Sequence, residues 1–185
     1  MIQKETIGAN ELLDYTEVDV SFIDGNNSIE SGCSVATLNE YSLDSLKTIY
    51  TPIFLRIVKE EYLESGYTNS LDDFINGIVL KDPIIASTWF NYIYLKYNSN
   101  NRVMLAMLYA ISRIDNILIR PTLSIMALAS LSHSDIEIRE TAIRCFENWG
   151  DSSSLEVLKA THNDPIDWIN DYKNNVIQNI ENTLN

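Results

Sequence analysis

Histidine and cysteine, the residue types that most often carry chemistry, are sparse and widely spaced in this 185-residue chain. The chain has two of each: His133 and His162, and Cys33 and Cys145. Neither histidine follows a glutamate at the E-x-x-H spacing of di-iron proteins, and a metal site built from both histidines and Cys145 would match no known ligand spacing. The six glycines form no phosphate-binding loop or nucleophile elbow. The sequence therefore predicts no catalytic residue, metal site or cofactor, and we expect the histidines at helix ends.

Acidic side chains are the second set of candidates, because they concentrate at one predicted turn. Glu60, Glu61 and Glu64 end one predicted helix, and Asp72 and Asp73 open the next. The helix dipole favours acidic residues at a helix N-terminus but disfavours glutamates at a C-terminus. Because glutamates at a helix C-terminus are unfavourable, we interpret this cluster as a candidate surface for partner binding. The alternative is that these side chains are only a solvent-exposed part of the surface. Nothing in the pattern indicates burial that would shift a pKa, so a general acid–base pair is not predicted.

Tyrosines form the third set. Tyr92, Tyr94 and Tyr97, together with Trp89 and Phe90, surround the whole of one predicted helix, so they cannot all face one core. Most are expected between neighbouring helices. One or two of the tyrosines are expected on a binding groove, because tyrosine offers a rigid and amphipathic contact surface.

Net charge points to the class of partner. Twenty-six acidic and thirteen basic residues give −13, and residues 1–40 alone hold eight acidic residues and one lysine, a net −7. Within this segment Glu11, Asp14, Glu17 and Asp19 are further candidates for partner binding. Nucleic-acid binding through phosphates needs basic patches and is not predicted. Attraction to a basic protein is predicted, with solubility as the alternative role of the acidity.

Residues from Ser42 onward read as a series of helices. Proline preceded by a capping residue at Thr51-Pro52, Asp82-Pro83 and Asp164-Pro165 marks helix starts, and Arg120-Pro121 marks another. Ser134 and Ser153 fit the S-x-x-E capping box, and Gly66 and Gly150 mark helix ends. The predicted helices span 43–50, 52–64, 71–81, 83–97, 102–114, 121–131, 135–148, 154–161 and 165–184.

Residues 1–40 have a different pattern. Val18, Val20 and Phe22 alternate with polar residues, and Asp24-Gly25 follows as a turn. This predicts an irregular or short β N-terminal segment, either a strand or hairpin or an extended acidic arm, packed on the helical body. The domain organisation predicted is an acidic segment over 1–40 and a helical repeat domain over 41–185, in a single domain overall.

The composition fits an intracellular globular domain. Hydrophobic residues make up 45% of the chain, enough for a core without disulfides or metals. The first residues lack the basic start and apolar run of a signal peptide, and no apolar run is long enough to span a membrane. We expect a cytoplasmic protein that binds neither membranes nor nucleic acid.

A repeat narrows the architecture. The string S-D-I-E-I-R-E-T-A-I over 134–143 opens a helix that ends at Gly150-Asp151, a second apolar helix follows, and the cycle restarts after Asp164-Pro165. Matching Ile138 to Ile169 gives a period of 31 residues, which is typical of helical-hairpin repeats. These residues resemble HEAT-like, armadillo-type repeats. The resemblance implies an all-α stack of antiparallel helical hairpins, in which Asp135 and Arg139 tie neighbouring turns together; Asn170 stands where that arginine would recur.

Three classes of function remain open. By type, though by no motif, the chain is similar to bacterial immunity proteins, which implies a non-catalytic inhibitor that masks a basic partner such as a nuclease toxin. The alternative is a HEAT-like scaffold or adaptor that binds a peptide or helix. A lyase or enzyme subunit on a HEAT-like fold is the third class.

Overall fold

The structure is a computed structural model that describes residues 42–60, 70–115 and 117–185. All of these residues lie within one compact unit that spans Thr37–Asn185. Over these ranges the chain is all-α, as predicted, and contains no strand. The predicted β or extended segment at 1–40, the Gly66 turn and the end of the second predicted helix lie outside the described residues.

The helices follow one another with short connections. Their bounds are α1 Leu43–Ser45, continued by a π-helical turn Leu46–Tyr50, then α2 Thr51–Glu60, α3 Ser70–Lys81, α4 Pro83–Lys96, α5 Asn101–Ser112, α6 Arg120–Ser130, α7 Ile136–Trp149, α8 Ser152–Ala160 and α9 Asp167–Leu184. Each predicted helix has a counterpart in this series.

Helix α2 begins at the predicted Thr51-Pro52 step, but the predicted capping role of Thr51 is wrong. Helical structure runs without a break from Leu43 through the π-helical turn into α2. Pro52 has no N–H to donate, and a wider turn before proline accommodates the carbonyl left without its usual donor. Thr51 does not cap the helix: its hydroxyl is buried, donates to the carbonyl of Leu46 at 3.0 Å and accepts from Trp89 Nε1 at 2.9 Å.

Two other proline signals and one glycine signal are confirmed. The Asp82 carboxylate accepts from the amides of Ile84 and Ile85, and α4 begins at Pro83. Helix α6 begins at Arg120-Pro121 without a side-chain cap. Gly150 ends α7 with a φ of 59°, a conformation that costs glycine little and other residues more.

The two predicted capping boxes are wrong by one or two residues. Aspartates, not serines, cap these helices: Asp135 accepts from the amides at the start of α7, and Asp151 accepts from the amide of Ser154. Aspartate is as good an N-cap as serine. The serine patterns at Ser134 and Ser153 therefore predicted the two helices correctly but named the wrong capping residues.

Packing links neighbouring helices and also helices two or three apart. Helix α5 packs most extensively on α7, α4 contacts α6 and α7 contacts α9, and α2 contacts α5, three helices later. Neighbouring helices also pack, as in α3–α4, α6–α7, α7–α8 and α8–α9. The largest buried side chains include Trp89, Phe90 and Phe54, with the Phe54 and Trp89 rings edge-on at 5.7 Å.

Two polar side chains at the start of α5 bond to parts of the chain that are distant in sequence. Arg102 donates to the carbonyls of Val58 and Lys59 near the end of α2, at 2.6 and 3.1 Å. Its neighbour Asn101 donates to Asp135 at 2.5 Å. These bonds tie α2 to α5 and α5 to the loop before α7.

No helix in the described part of the chain is both long and apolar enough to cross a membrane.

Candidate functional site

The predicted acidic cluster is only partly an exposed surface. Glu60 and Asp73 are exposed. Asp72 is buried, with 8% of its side chain exposed, and its carboxylate forms an ion pair with Arg113. Asp72 therefore holds α3 against the end of α5 and is not available to a partner. Glu61 and Glu64 lie outside the described residues.

Most of the negative charge lies outside the described helices. The described residues hold twelve basic and sixteen acidic side chains, a net −4, against −7 in residues 1–41 and −2 in residues 61–69. Glu11, Asp14, Glu17 and Asp19 all belong to the first of these undescribed segments. The helical body itself is thus close to neutral for its size.

Tyr92 and Tyr97 lie beside lysines. Lys96 Nζ donates to the Tyr92 hydroxyl at 2.7 Å, and this bond raises the pKa of Lys96. The same ammonium lies 5.2 Å from the Tyr92 ring centre and 5.4 Å from that of Tyr97, and Lys47 lies 5.0 Å from the Tyr92 ring. Cations over aromatic faces make this a locally basic patch. Such a patch is a poor place for a basic partner to bind.

Tyr94 has a structural position between α4 and α6. Its hydroxyl lies 3.3 Å from Ser130 Oγ. Because Ser130 already donates to the carbonyl of Met126 at 2.9 Å, it is free to accept from Tyr94. The side chain therefore joins the two helices instead of forming an open binding surface.

The structure forms a groove that the sequence did not reveal. It has a volume of about 810 Å³ and is bounded by α6 and α8, with residues of α7 and α9 and the loops 131–135 and 161–166 completing its walls. Its apolar residues are Leu128, Leu131, Ile143, Val157, Ala160, Pro165 and Ile169, and its polar residues are Ser132, His133, Ser134, Arg139, Thr161, His162, Asn163, Asp164 and Lys173. None of the predicted site residues lines it.

Arg139 and Asp164 form a buried ion pair at one end of this groove. Arg139 Nε and Nη2 donate to the two carboxylate oxygens at 2.6 and 3.2 Å, and Nη1 donates to the carbonyls of His133 and Ser134 at 2.9 and 3.0 Å. Burial is the largest single effect and would raise the pKa of Asp164, but the hydrogen bonds from Arg139 and the Ile166 amide, with the charges of Arg139 and Lys173, together hold the pKa below its ordinary value. Arg139 thus ties α7 to the loop before α9, with Asp164 as its partner and not Asp135.

Asn170 braces the same loop from inside α9. Its side chain accepts from the Asp164 amide at 2.7 Å and donates to the Asp164 carbonyl at 2.6 Å. Asn170, which stands where the repeat would have arginine, therefore bonds to the loop that precedes its own helix.

Lys173 is the second buried cation of the groove. Its residue exposure is 5%, and Nζ donates to the carbonyls of Thr161 and His162 at 3.2 and 2.9 Å. Over the described residues no carboxylate lies within 4.0 Å of this ammonium, although Asp164 is near enough to favour its charge. Desolvation by burial is the larger effect and lowers the pKa of Lys173.

The histidines border the groove without forming a metal cluster. His133 Nδ1 accepts from the Asp135 amide at 3.0 Å, at the start of α7, and His162 is exposed just beyond α8. Cys145 is buried and its thiol donates to the carbonyl of Leu108 at 3.3 Å. In the described ranges no three metal-binding side chains come together.

No protein-family model matches this sequence, and no curated protein or solved structure is significantly similar to it.

Proposed function

We propose that this chain is a non-catalytic, cytoplasmic protein-binding module that masks a basic protein partner, as an acidic immunity or inhibitor protein does. The observation that carries the proposal is the uneven charge. Residues 1–41 hold −7 of the −13, while the described helices hold −4 in a longer stretch of chain. Charge concentrated in one segment steers a partner to that segment, whereas charge needed only for solubility can be spread evenly.

The contact proposed is made by carboxylates from two regions of the sequence. Glu11, Asp14, Glu17 and Asp19 are the candidates in residues 1–40, and Glu60, Glu61, Glu64 and Asp73 are the candidates in residues 60–73. Opposite charge speeds diffusional encounter, and carboxylates over a basic cleft deny that cleft to its substrate. A nuclease-type toxin domain is the first candidate for the partner, because its active-site cleft must be basic to bind a polyanion.

The scaffold proposed is a HEAT-like stack on residues 41–185. Contacts between helices two apart support the stack, because repeat units contact their neighbours in this way. The polar bonds that join α2 to α5, α5 to α7 and α7 to α9 support it independently.

Affinity capture with two matched baits tests the proposal. One bait is the wild-type chain, and the other carries Glu11→Gln, Asp14→Asn, Glu17→Gln and Asp19→Asn, which preserve size and remove four charges. We expect a basic protein on the wild-type bait, at least tenfold depleted on the neutral bait. The purified partner should lose its own activity on stoichiometric addition of the wild-type chain. An acidic or neutral partner, or a bound partner that stays fully active, would contradict the proposal.

A further inference from the structure

The groove between α6 and α8 combines two kinds of surface. One is an aliphatic wall, and the other is a buried ammonium without a carboxylate partner among the described residues. Neither surface is used by the acidic partner contact proposed above.

The aliphatic wall comes from α6, α7 and α8. Leu128 contributes from α6, Ile143 from α7 and Val157 from α8. Leu128 keeps 45% of its surface exposed. An aliphatic chain placed along this wall would remove apolar surface from water.

The charged side chains that line the groove leave one positive charge uncompensated. Asp164 is neutralised by its two bonds to Arg139, and its Oδ1 also accepts from the Ile166 amide at 2.9 Å. Lys173 bonds only two neutral carbonyls, and a lysine ammonium has three protons to donate. Arg139, Lys173 and Asp164 together give this end of the groove a net charge of +1, in a chain that is otherwise strongly acidic.

We infer that this groove binds a small aliphatic monocarboxylate, with the carboxylate near Lys173 and the aliphatic chain on Leu128, Ile143 and Val157. A single uncompensated cation favours a monoanion over a phosphate dianion. The volume of about 810 Å³ falls within the range of small-molecule sites. A bound carboxylate would also offset the desolvation that lowers the pKa of Lys173.

Titration of the full chain with octanoate, followed by ¹H–¹⁵N NMR, tests the inference. We expect amide shifts concentrated in loops 131–135 and 161–166. Octanamide has the same chain without the charge, and it should bind at least tenfold more weakly. Equal affinity for the acid and the amide, or shifts concentrated elsewhere, would overturn the proposal.

Two variants on one helix provide a matched pair. Leu128→Glu introduces a negative charge on the groove wall, whereas Ile125→Glu introduces the same charge at a residue of α6 that is 67% exposed and does not line the groove. Both positions are exposed, so both variants should fold. Octanoate affinity should fall at least tenfold in the first and less than twofold in the second, and equal effects would overturn the assignment.

The alternative occupant of the groove is the C-terminus of a peptide. An acetylated tetrapeptide ending in leucine tests it, because it presents a carboxylate and an aliphatic side chain on a polypeptide. If it bound the groove at least tenfold more tightly than octanoate, the site would be a peptide-docking groove and the small-molecule proposal would be wrong. Because the partner contact proposed above uses other residues, failure here leaves the charge-neutralised bait experiment unaffected.

Discussion

Removal of the Arg139 side chain should be among the most damaging single changes in the helical body. Arg139→Ala deletes two bonds to Asp164 and two to the carbonyls of His133 and Ser134. It also leaves the Asp164 carboxylate buried, with 9% of its side chain exposed and no cation bonded to it.

The magnitude follows from that burial. Loss of one partner of a buried ion pair costs about 3–5 kcal/mol, because the remaining charge is desolvated and uncompensated. Only 10% of the Arg139 side chain and 9% of the Asp164 side chain are exposed, so solvent screening reduces this cost little. For a chain of this size, such a loss corresponds to a fall in Tm of roughly 6–20 °C.

Urea unfolding followed by circular dichroism at 222 nm measures the loss. Lys159→Ala is the control, since Lys159 pairs with Glu181 at 2.5 Å in a bridge whose side chains are 49% and 40% exposed. Such exposed bridges contribute about 0–1 kcal/mol. A destabilisation by Arg139→Ala that does not exceed that of Lys159→Ala would refute the reasoning.

Three further predictions concern other buried groups. Thr51→Val should lower the free energy of unfolding by about 1–3 kcal/mol in urea titrations, because Trp89 Nε1 loses its acceptor; Thr51→Ser should retain most of the stability, and equal losses would contradict this. Cys145 should resist a thiol reagent in a Cys33→Ser background until the chain unfolds, because burial raises its pKa and excludes the reagent; rapid labelling in buffer would contradict it. Finally, the lowered folded-state pKa of Asp164 stabilises the chain above the unfolded pKa of about 3.9, and this stability is lost as pH falls from about 4 toward the folded value. As the pH falls from 5 to below 4, the Tm of wild type should therefore decrease more than the Tm of Arg139→Ala.

The sequence predicted helices well because their signals are local. Asp82 accepts hydrogen bonds from amides two and three residues later, and the proline that follows it is the first residue of the helix. Gly150 ends its helix by adopting a left-handed conformation itself. Thr51-Pro52 predicted a capping threonine, but the Thr51 hydroxyl instead bonds to the Leu46 carbonyl and to Trp89, which lies 38 residues away.

The candidate site was harder to predict because it depends on distant contacts. Asp72 reads as a surface residue in a first helical turn, yet Arg113, 41 residues later, buries it in an ion pair. Lys173 reads as one charge on an amphipathic helix, and its role depends on carbonyls 11 and 12 residues earlier. Leu128 and Val157 read as ordinary core residues, and only the packing of α6 and α8 around α7 leaves a groove between them.

The rate at which the wild-type chain associates with its captured partner tests the central claim most directly. Stopped-flow measurements would compare wild type, the variant neutralised at Glu11, Asp14, Glu17 and Asp19, and a second variant with Glu60, Glu61 and Glu64 changed to glutamine, at low and physiological salt. We expect a wild-type rate that falls steeply with salt, since charges are screened beyond about 8 Å at physiological ionic strength. We also expect a rate at least tenfold slower for the N-terminal variant, because its four substitutions lie in the segment that carries −7. Equal rates for all three proteins at both salt concentrations would contradict the claim that the acidic surface makes the contact.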